Sequence, residues 1–401
     1  MSWADRISPA VRSIPPSGIR RFFDIAAEMK GVISLGVGEP DFITPWHIRE
    51  SCVYGLERGY TSYTANHGLL ELREEIAKTT DRDYNVRYEP NREILITVGV
   101  SEALDLALRA VLSPGDEALV PEPCYVSYKA CVTLAGGVPV PVPTVMENQF
   151  RVTVEQLEQL VTPRTKVLLI GYPNNPTGAI MPREELLRIA GFAKKHDLIV
   201  ISDEIYANLT YDAEHTCFAS LPEMRDRTIL LNGFSKAYAM TGWRIGYAMG
   251  NADFIAAMTK IHQYTMLCAP ITAQVAAVEA LRHGQDTMKK MVAEYDCRRR
   301  LMLDGLCNMG LSCFEPKGAF YIFPSIKNTG LKSLEFAEEL LKAEKVALVP
   351  GDAFGESGQG YIRCSYATSM ANLNKALERI GRFIDKRLNR REELQPKPPQ
   401  A

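Results

Sequence analysis

The chain has 401 residues, of which 46% are hydrophobic, and its 46 Lys+Arg against 48 Asp+Glu leave a formal charge of only -2. That near balance gives no basic excess for nucleic acid or an anionic membrane surface, and no apolar run approaches the ~20 residues a membrane helix needs. The length suits one large domain and a smaller one, and residues 1–6 lack the apolar stretch of an export signal, so a soluble cytoplasmic protein is expected.

The nine cysteines run from Cys52 to Cys364 with no C-x-x-C pair and no neighbouring histidine cluster. They read as reduced thiols, and no metal site is expected. Cys124 reads as a small apolar filler rather than a nucleophile.

In chain order, Gly36-Val37-Gly38-Glu39-Pro40-Asp41-Phe42 comes first. A ligand can come close to the Gly38 amide because no side chain stands in the way. Tyr63 and His67 follow in a loop. Residues 94–98, 167–170, 198–201 and 228–231 are near-continuous apolar, β-branched runs, the mark of strands covered on both faces. Helical spacing over 102–112 and 183–196 separates them, the second helix opened by Pro182 in its first turn. The alternation predicts an α/β fold with a mostly parallel sheet between helices.

Between the first strand and its helix, Val98-Gly99-Val100-Ser101-Glu102 places a glycine turn whose Val100 and Ser101 amides can face an anion with the helix dipole behind them. Taken alone, a serine at the position of Ser101 is more often an ordinary helix N-cap than an anion ligand. Asp203 ends the 198–201 strand, where ligands of open α/β sheets bind, and it too could be a helix cap. The C-terminal third mixes strands near 318–323 and 361–365 with helices at 333–343 and 370–388. This predicts a large domain over 46–285 and a smaller α+β domain from 1–45 and 286–401, with a disordered tail from about residue 390.

The most specific segment is Asn232-Gly233-Phe234-Ser235-Lys236-Ala237-Tyr238-Ala239-Met240-Thr241-Gly242-Trp243-Arg244. A lysine amine can condense with an aldehyde as a Schiff base, and a guanidinium nearby takes a phosphate in two parallel hydrogen bonds. That pairing suits pyridoxal phosphate. The segment resembles the S-K-x-x-x-x-T-G-x-R motif of class I and II aminotransferases of pyridoxal-phosphate fold type I, and companion motifs extend the resemblance from about Ser34 to Thr368.

The resemblance implies roles for each motif. Lys236 is the Schiff-base residue and proton carrier, and Asp203 the partner of the cofactor's ring nitrogen, with Tyr128 placed to assist it. Glu204 is structural or faces solvent. Tyr206 and Asn175, the latter in an N-P-T-G turn, bind the phenolic oxygen, and Tyr125 stacks on the ring. Val100, Ser101, Ser235 and Arg244 hold the phosphate, joined by Tyr63 from the other subunit of a homodimer. Many relatives carry S-x-S-K where this chain has Gly233. Gly38, Asn175 and Arg363 hold the substrate's α-carboxylate.

The implied reaction is transfer of the α-amino group of an L-amino acid to a 2-oxo acid, 2-oxoglutarate by expectation, with ping-pong kinetics, in amino-acid biosynthesis. Bacterial enzymes for aspartate, aromatic or N-acetyl-diaminopimelate substrates share the look of residues 62–64, 240–244 and 318–324. A C–S lyase on the same scaffold is the alternative. A non-enzymatic regulator is disfavoured, since residues 36–42 lie too near the start to leave room for a DNA-binding module.

Overall fold

The computed structural model describes residues 3–15 and 29–394. After β1 (Ile33–Ser34), seven strands make the central sheet: β2 (Ile94–Thr97), β3 (Glu117–Glu122), β4 (Val138–Pro143), β5 (Thr165–Gly171), β6 (Ile199–Asp203), β7 (Thr228–Gly233) and β8 (Gly246–Met249). Their order is β2-β8-β7-β6-β5-β3-β4. Only β8 runs antiparallel to its neighbours.

Side chains of successive strand residues enter opposite cores, as the pleat requires. Leu168 and Ile170 join the cluster under the helix Arg183–Lys195, while Val167 and Leu169 join the one under the helix Gly99–Val111. The four strands expected from apolar runs are therefore present, covered on both faces. β3, β4 and β8 go beyond that expectation. β4 escapes an apolar-run search because Pro139, Pro141 and Pro143 interrupt it, and it lies at the sheet edge, where a missing N–H costs no ladder bond.

The two expected helices differ at their starts. The first begins one turn earlier, at Gly99, and Pro182 is the cap before the second rather than part of its first turn.

The remaining strands are β9 (Tyr321–Ile322), β10 (Val346–Ala347), β11 (Val349–Pro350) and β12 (Ile362–Ser365). β12 pairs antiparallel with both β11 and β9, while β1 pairs parallel with β10. The N-terminal segment is laced into this C-terminal region: Leu35 N donates to Ala347 O at 2.7 Å and Ser365 N donates to Leu35 O at 2.6 Å. One apolar cluster runs from Leu230 and Phe234 through Tyr295 and Phe320 to Ile362 and Leu373, so the smaller α+β region shares its core with the sheet.

The last helix, Met370–Leu394, continues past the expected end at 388 and through the start of the expected tail. Residues 387–394 contain no Gly or Pro, so the helix propagates through them. The rest of that tail lies outside the described residues. Among the described residues no helix is long and apolar enough to cross a membrane.

Candidate active site

A cleft of about 500 Å³ opens at the carboxyl ends of β5, β6 and β7 and is closed by residues 36–39, Tyr321 and Arg363. Parallel strands end there with exposed backbone and helix N-termini, which is why ligands collect at such edges. Of the site residues expected from sequence, Gly38, Val100, Ser101, Tyr125, Asn175, Asp203, Tyr206, Ser235, Lys236, Arg244 and Arg363 all line it. Tyr63 does not. Its side chain is 82% exposed on the surface, away from the cleft of its own chain.

Asp203 is buried at the end of β6, where its Oδ2 accepts from the Tyr128 hydroxyl at 2.8 Å and its Oδ1 from Ile205 N at 3.2 Å. Gly171, its register partner on β5, has no side chain, and a Cβ there would overlap the Tyr128 hydroxyl. Burial pushes the Asp203 carboxyl up to about 6, opposed by those hydrogen bonds and assisted by Glu204. Glu204 points to the other side and does not face solvent. It is buried and accepts from Ser202 Oγ at 2.9 Å and Phe218 N at 2.9 Å, with His215 Nε2 at 2.7 Å.

Lys236 follows β7 and donates from Nζ to Gly38 O at 2.6 Å. Desolvation pushes its amine down to about 8. The nearby Glu39 resists the shift, while the Arg363 and Arg244 charges add to it. Such a lysine sheds its proton far more readily than an exposed one.

Arg363 sits on β12 between the rings of Tyr321 and Phe354, with its guanidinium carbon 4.5 and 4.8 Å from their centroids. Its Nη1 donates to Asn175 Oδ1 at 2.9 Å and its Nη2 to Gly36 O at 2.6 Å. Nε is buried with no hydrogen-bond partner among the described residues. A buried guanidinium with an unused donor and no carboxylate partner is costly unless an anion arrives. Gly38 lies alongside, and a Cβ on it would stand 3.0 Å from the Tyr321 hydroxyl.

Across the cleft, Gly99 has φ +76 and a Cβ there would lie 2.6 Å from Arg244 Nη2. The guanidinium thus rests against the turn that opens the helix Gly99–Val111 and brings its charge beside the free amides of the first helical turn. Arg244 Nη1 donates to Thr241 O at 3.0 Å. Gly233 is also packed tightly: a Cβ would meet Gly246 Cα at 3.0 Å and Val100 Cγ2 at 3.1 Å, which leaves little room for the serine found in S-x-S-K relatives.

Tyr321 carries no role in the sequence-based assignment. Its hydroxyl bonds that of Tyr206 at 2.7 Å and its ring supports Arg363. The segment 318–323 reads only as a strand of the smaller region. Five apolar or aromatic residues in a row, Ala319 to Phe323, give no alternation from which to tell the face that meets the cleft.

A buried carboxylate, a desolvated lysine, an arginine at a helix N-terminus and an aromatic wall in one α/β cleft are the features of a pyridoxal-phosphate enzyme, and a second, buried arginine stands beside them. The chain matches the family of class I and II aminotransferases over residues 30–380. A Bacillus subtilis protein, YugH, is 56% identical over 95% of this chain and 98% of its own length. The aspartate aminotransferase of Pyrococcus abyssi is 48% identical over 96% of this chain and 98% of the relative. The crystal structure of an aromatic aminotransferase from Pyrococcus horikoshii superposes with a TM-score of 0.88 at 46% identity, covering 92% of this chain and 99% of that one. The chain belongs to the class I and II aminotransferase family: it is a transaminase, and its cofactor is pyridoxal phosphate.

Proposed function

We propose that this transaminase moves the α-amino group of an L-amino acid to 2-oxoglutarate in two half-reactions with ping-pong kinetics. The observation that carries it is the pairing of a desolvated Lys236 with an Arg363 whose buried Nε lacks an acceptor, within one cleft. When bound, pyridoxal phosphate supplies an aldehyde for the amino group and a protonated ring that takes up the electrons left by the breaking Cα–H bond.

The family resemblance assigns each residue its role, and the shared lining of one cleft by all but Tyr63 supports the assignment. Asp203, held by Tyr128, pairs as a carboxylate with the ring nitrogen, and a cation beside it favours its ionised form. Tyr206, oriented by Tyr321, and Asn175 donate to the phenolic oxygen, while Tyr125 stacks on the ring. The Val100 and Ser101 amides, Ser235 and Arg244 hold the phosphate, with Tyr63 of the partner subunit. Arg363, Asn175 and the Gly38 amide would grip the α-carboxylate and so hold the substrate's Cα in a fixed orientation toward Lys236. Lys236 Nζ, as a neutral amine, takes the proton from the substrate's Cα.

A cytoplasmic homodimer serving amino-acid biosynthesis is part of the same proposal. Its support is the set of unpaired cysteines and the exposed aromatic and apolar side chains of the Tyr63 loop and the segment it is tied to, with Tyr63 82%, Tyr264 84% and Leu267 40% exposed. Asn66 Nδ2 ties that loop to Leu267 O at 2.8 Å.

The holoenzyme should form glutamate from 2-oxoglutarate with at least one donor among aspartate, phenylalanine, tyrosine and alanine, giving parallel double-reciprocal lines. Arg363→Lys should raise KM for every donor alike, since a point charge cannot replace the planar fork on the shared carboxylate. Release of pyruvate and ammonia without any acceptor, and no glutamate, would refute the proposal in favour of lyase chemistry.

A further inference from the structure

Glu102 stands in the first turn of the helix Gly99–Val111, directly behind the turn that faces Arg244. Its Oε2 accepts from Val98 N at 2.5 Å, and its Oε1 lies 2.7 Å from His262 Nδ1. Val98 is the N-cap residue of that helix, and its side chain offers no cap. The carboxylate therefore reaches back to the cap amide, as the acidic member of a capping box does. A carboxylate can only accept, so His262 donates from Nδ1.

His262 is fully buried on the helix Ala252–Thr265, and its Nε2 has no hydrogen-bond partner among the described residues. An imidazole that leaves one nitrogen unsatisfied in the interior is costly for a purely structural contact, and such orphans call for an explanation. Neither residue lines the cleft. Both sit where they control the one amide of the turn that must not point into it.

We propose that Glu102 and His262 are positioning residues for the cofactor's phosphate, an assignment that rests on the Val98–Ser101 turn being the phosphate cup. Glu102 engages the Val98 N–H and pins the turn from behind, so that the Val100 and Ser101 amides and the Ser101 hydroxyl face forward. His262, anchored in a second helix, fixes the rotamer of Glu102 and ties the cup to the helix that leads to Tyr264.

The test uses apoenzyme with pyridoxal phosphate and inorganic phosphate as separate probes, alongside thermal melts and steady-state kinetics at saturating cofactor. Glu102→Ala and His262→Leu should each weaken both probes by about tenfold, the scale of one lost charge-assisted hydrogen bond, with KM for the amino donor unchanged. The double variant should be no worse than either single one, because the two residues act as one unit. Glu102→Gln keeps the size and one acceptor but meets the second donor with its own N–H, and should weaken both probes by roughly threefold. It carries the test should the larger truncations fail to fold. Probe affinities within about twofold of wild type in these variants, whatever happens to the melting temperature, would overturn the proposal. Arg244→Gln serves as the separate control: if it too leaves phosphate affinity intact, the cup assignment itself is wrong.

Discussion

At the scale of single residues, burial sets the cleft apart from the surface. Lys236 falls from 10.5 to about 8 because its amine is desolvated. Between those values the unfolded chain binds more protons than the folded one, so this group makes stability rise with pH across that window, and its penalty is complete below it. Lys236→Met should therefore abolish transamination yet stabilise the cofactor-free protein near pH 7 by ~1–3 kcal/mol, part of the gain being offset by the lost bond to Gly38 O. Denaturation of the apo forms should show that gain fading toward about pH 10. A variant no more stable than wild type at neutral pH would mean the amine is not desolvated. The identities of Lys236, Asp203, Arg244 and Arg363 as candidates are legible from sequence. The pairing of Tyr206 with Tyr321 is not, because it joins residues 115 positions apart through hydroxyls that no periodicity encodes.

At the scale of elements, local composition explains which pieces are readable. Apolar β-branched runs reveal β2, β5, β6 and β7, whereas β8 is glycine-led with no β-branched residue and β4 is proline-rich, so neither stands out. The turn between β2 and its helix is a different kind of element, since its use depends on backbone geometry. Gly99 at φ +76 lies where L side chains rarely go, and a Cβ would press on Arg244 Nη2 at 2.6 Å. Gly99→Ala should destabilise the protein by ~1–2 kcal/mol. It should also lower cofactor affinity out of proportion to that loss, as measured by equilibrium titration of apoenzyme alongside chemical denaturation. Cofactor affinity equal to wild type would show that the turn does not carry the phosphate.

At the scale of the whole molecule, the cleft exists only because three distant stretches meet. Residues 36–39 are brought in by β1 pairing with β10, and Arg298 Nη1 fastens the segment by donating to both carboxylate oxygens of Asp41, at 2.8 and 2.9 Å. The proposed dimer adds a fourth stretch through Tyr63. Mixed dimers of Tyr63→Phe and Lys236→Ala subunits should contain one site with both native residues, so at limiting pyridoxal phosphate they should outperform either parent preparation. Activity equal to the average of the parents would place Tyr63 outside the neighbouring site. By itself, the sequence determined the α/β alternation, the lysine and arginine that suit a phosphorylated aldehyde, and the turn that can face its phosphate. These are local properties: runs of apolar side chains, fixed spacings, and glycines that free the backbone. Only the tertiary structure decided that Tyr321 supports both Tyr206 and Arg363, and that Glu204 is buried rather than solvated. It also set the states of Lys236 and Asp203, since burial and long-range hydrogen bonding arise only when segments far apart in the chain pack together.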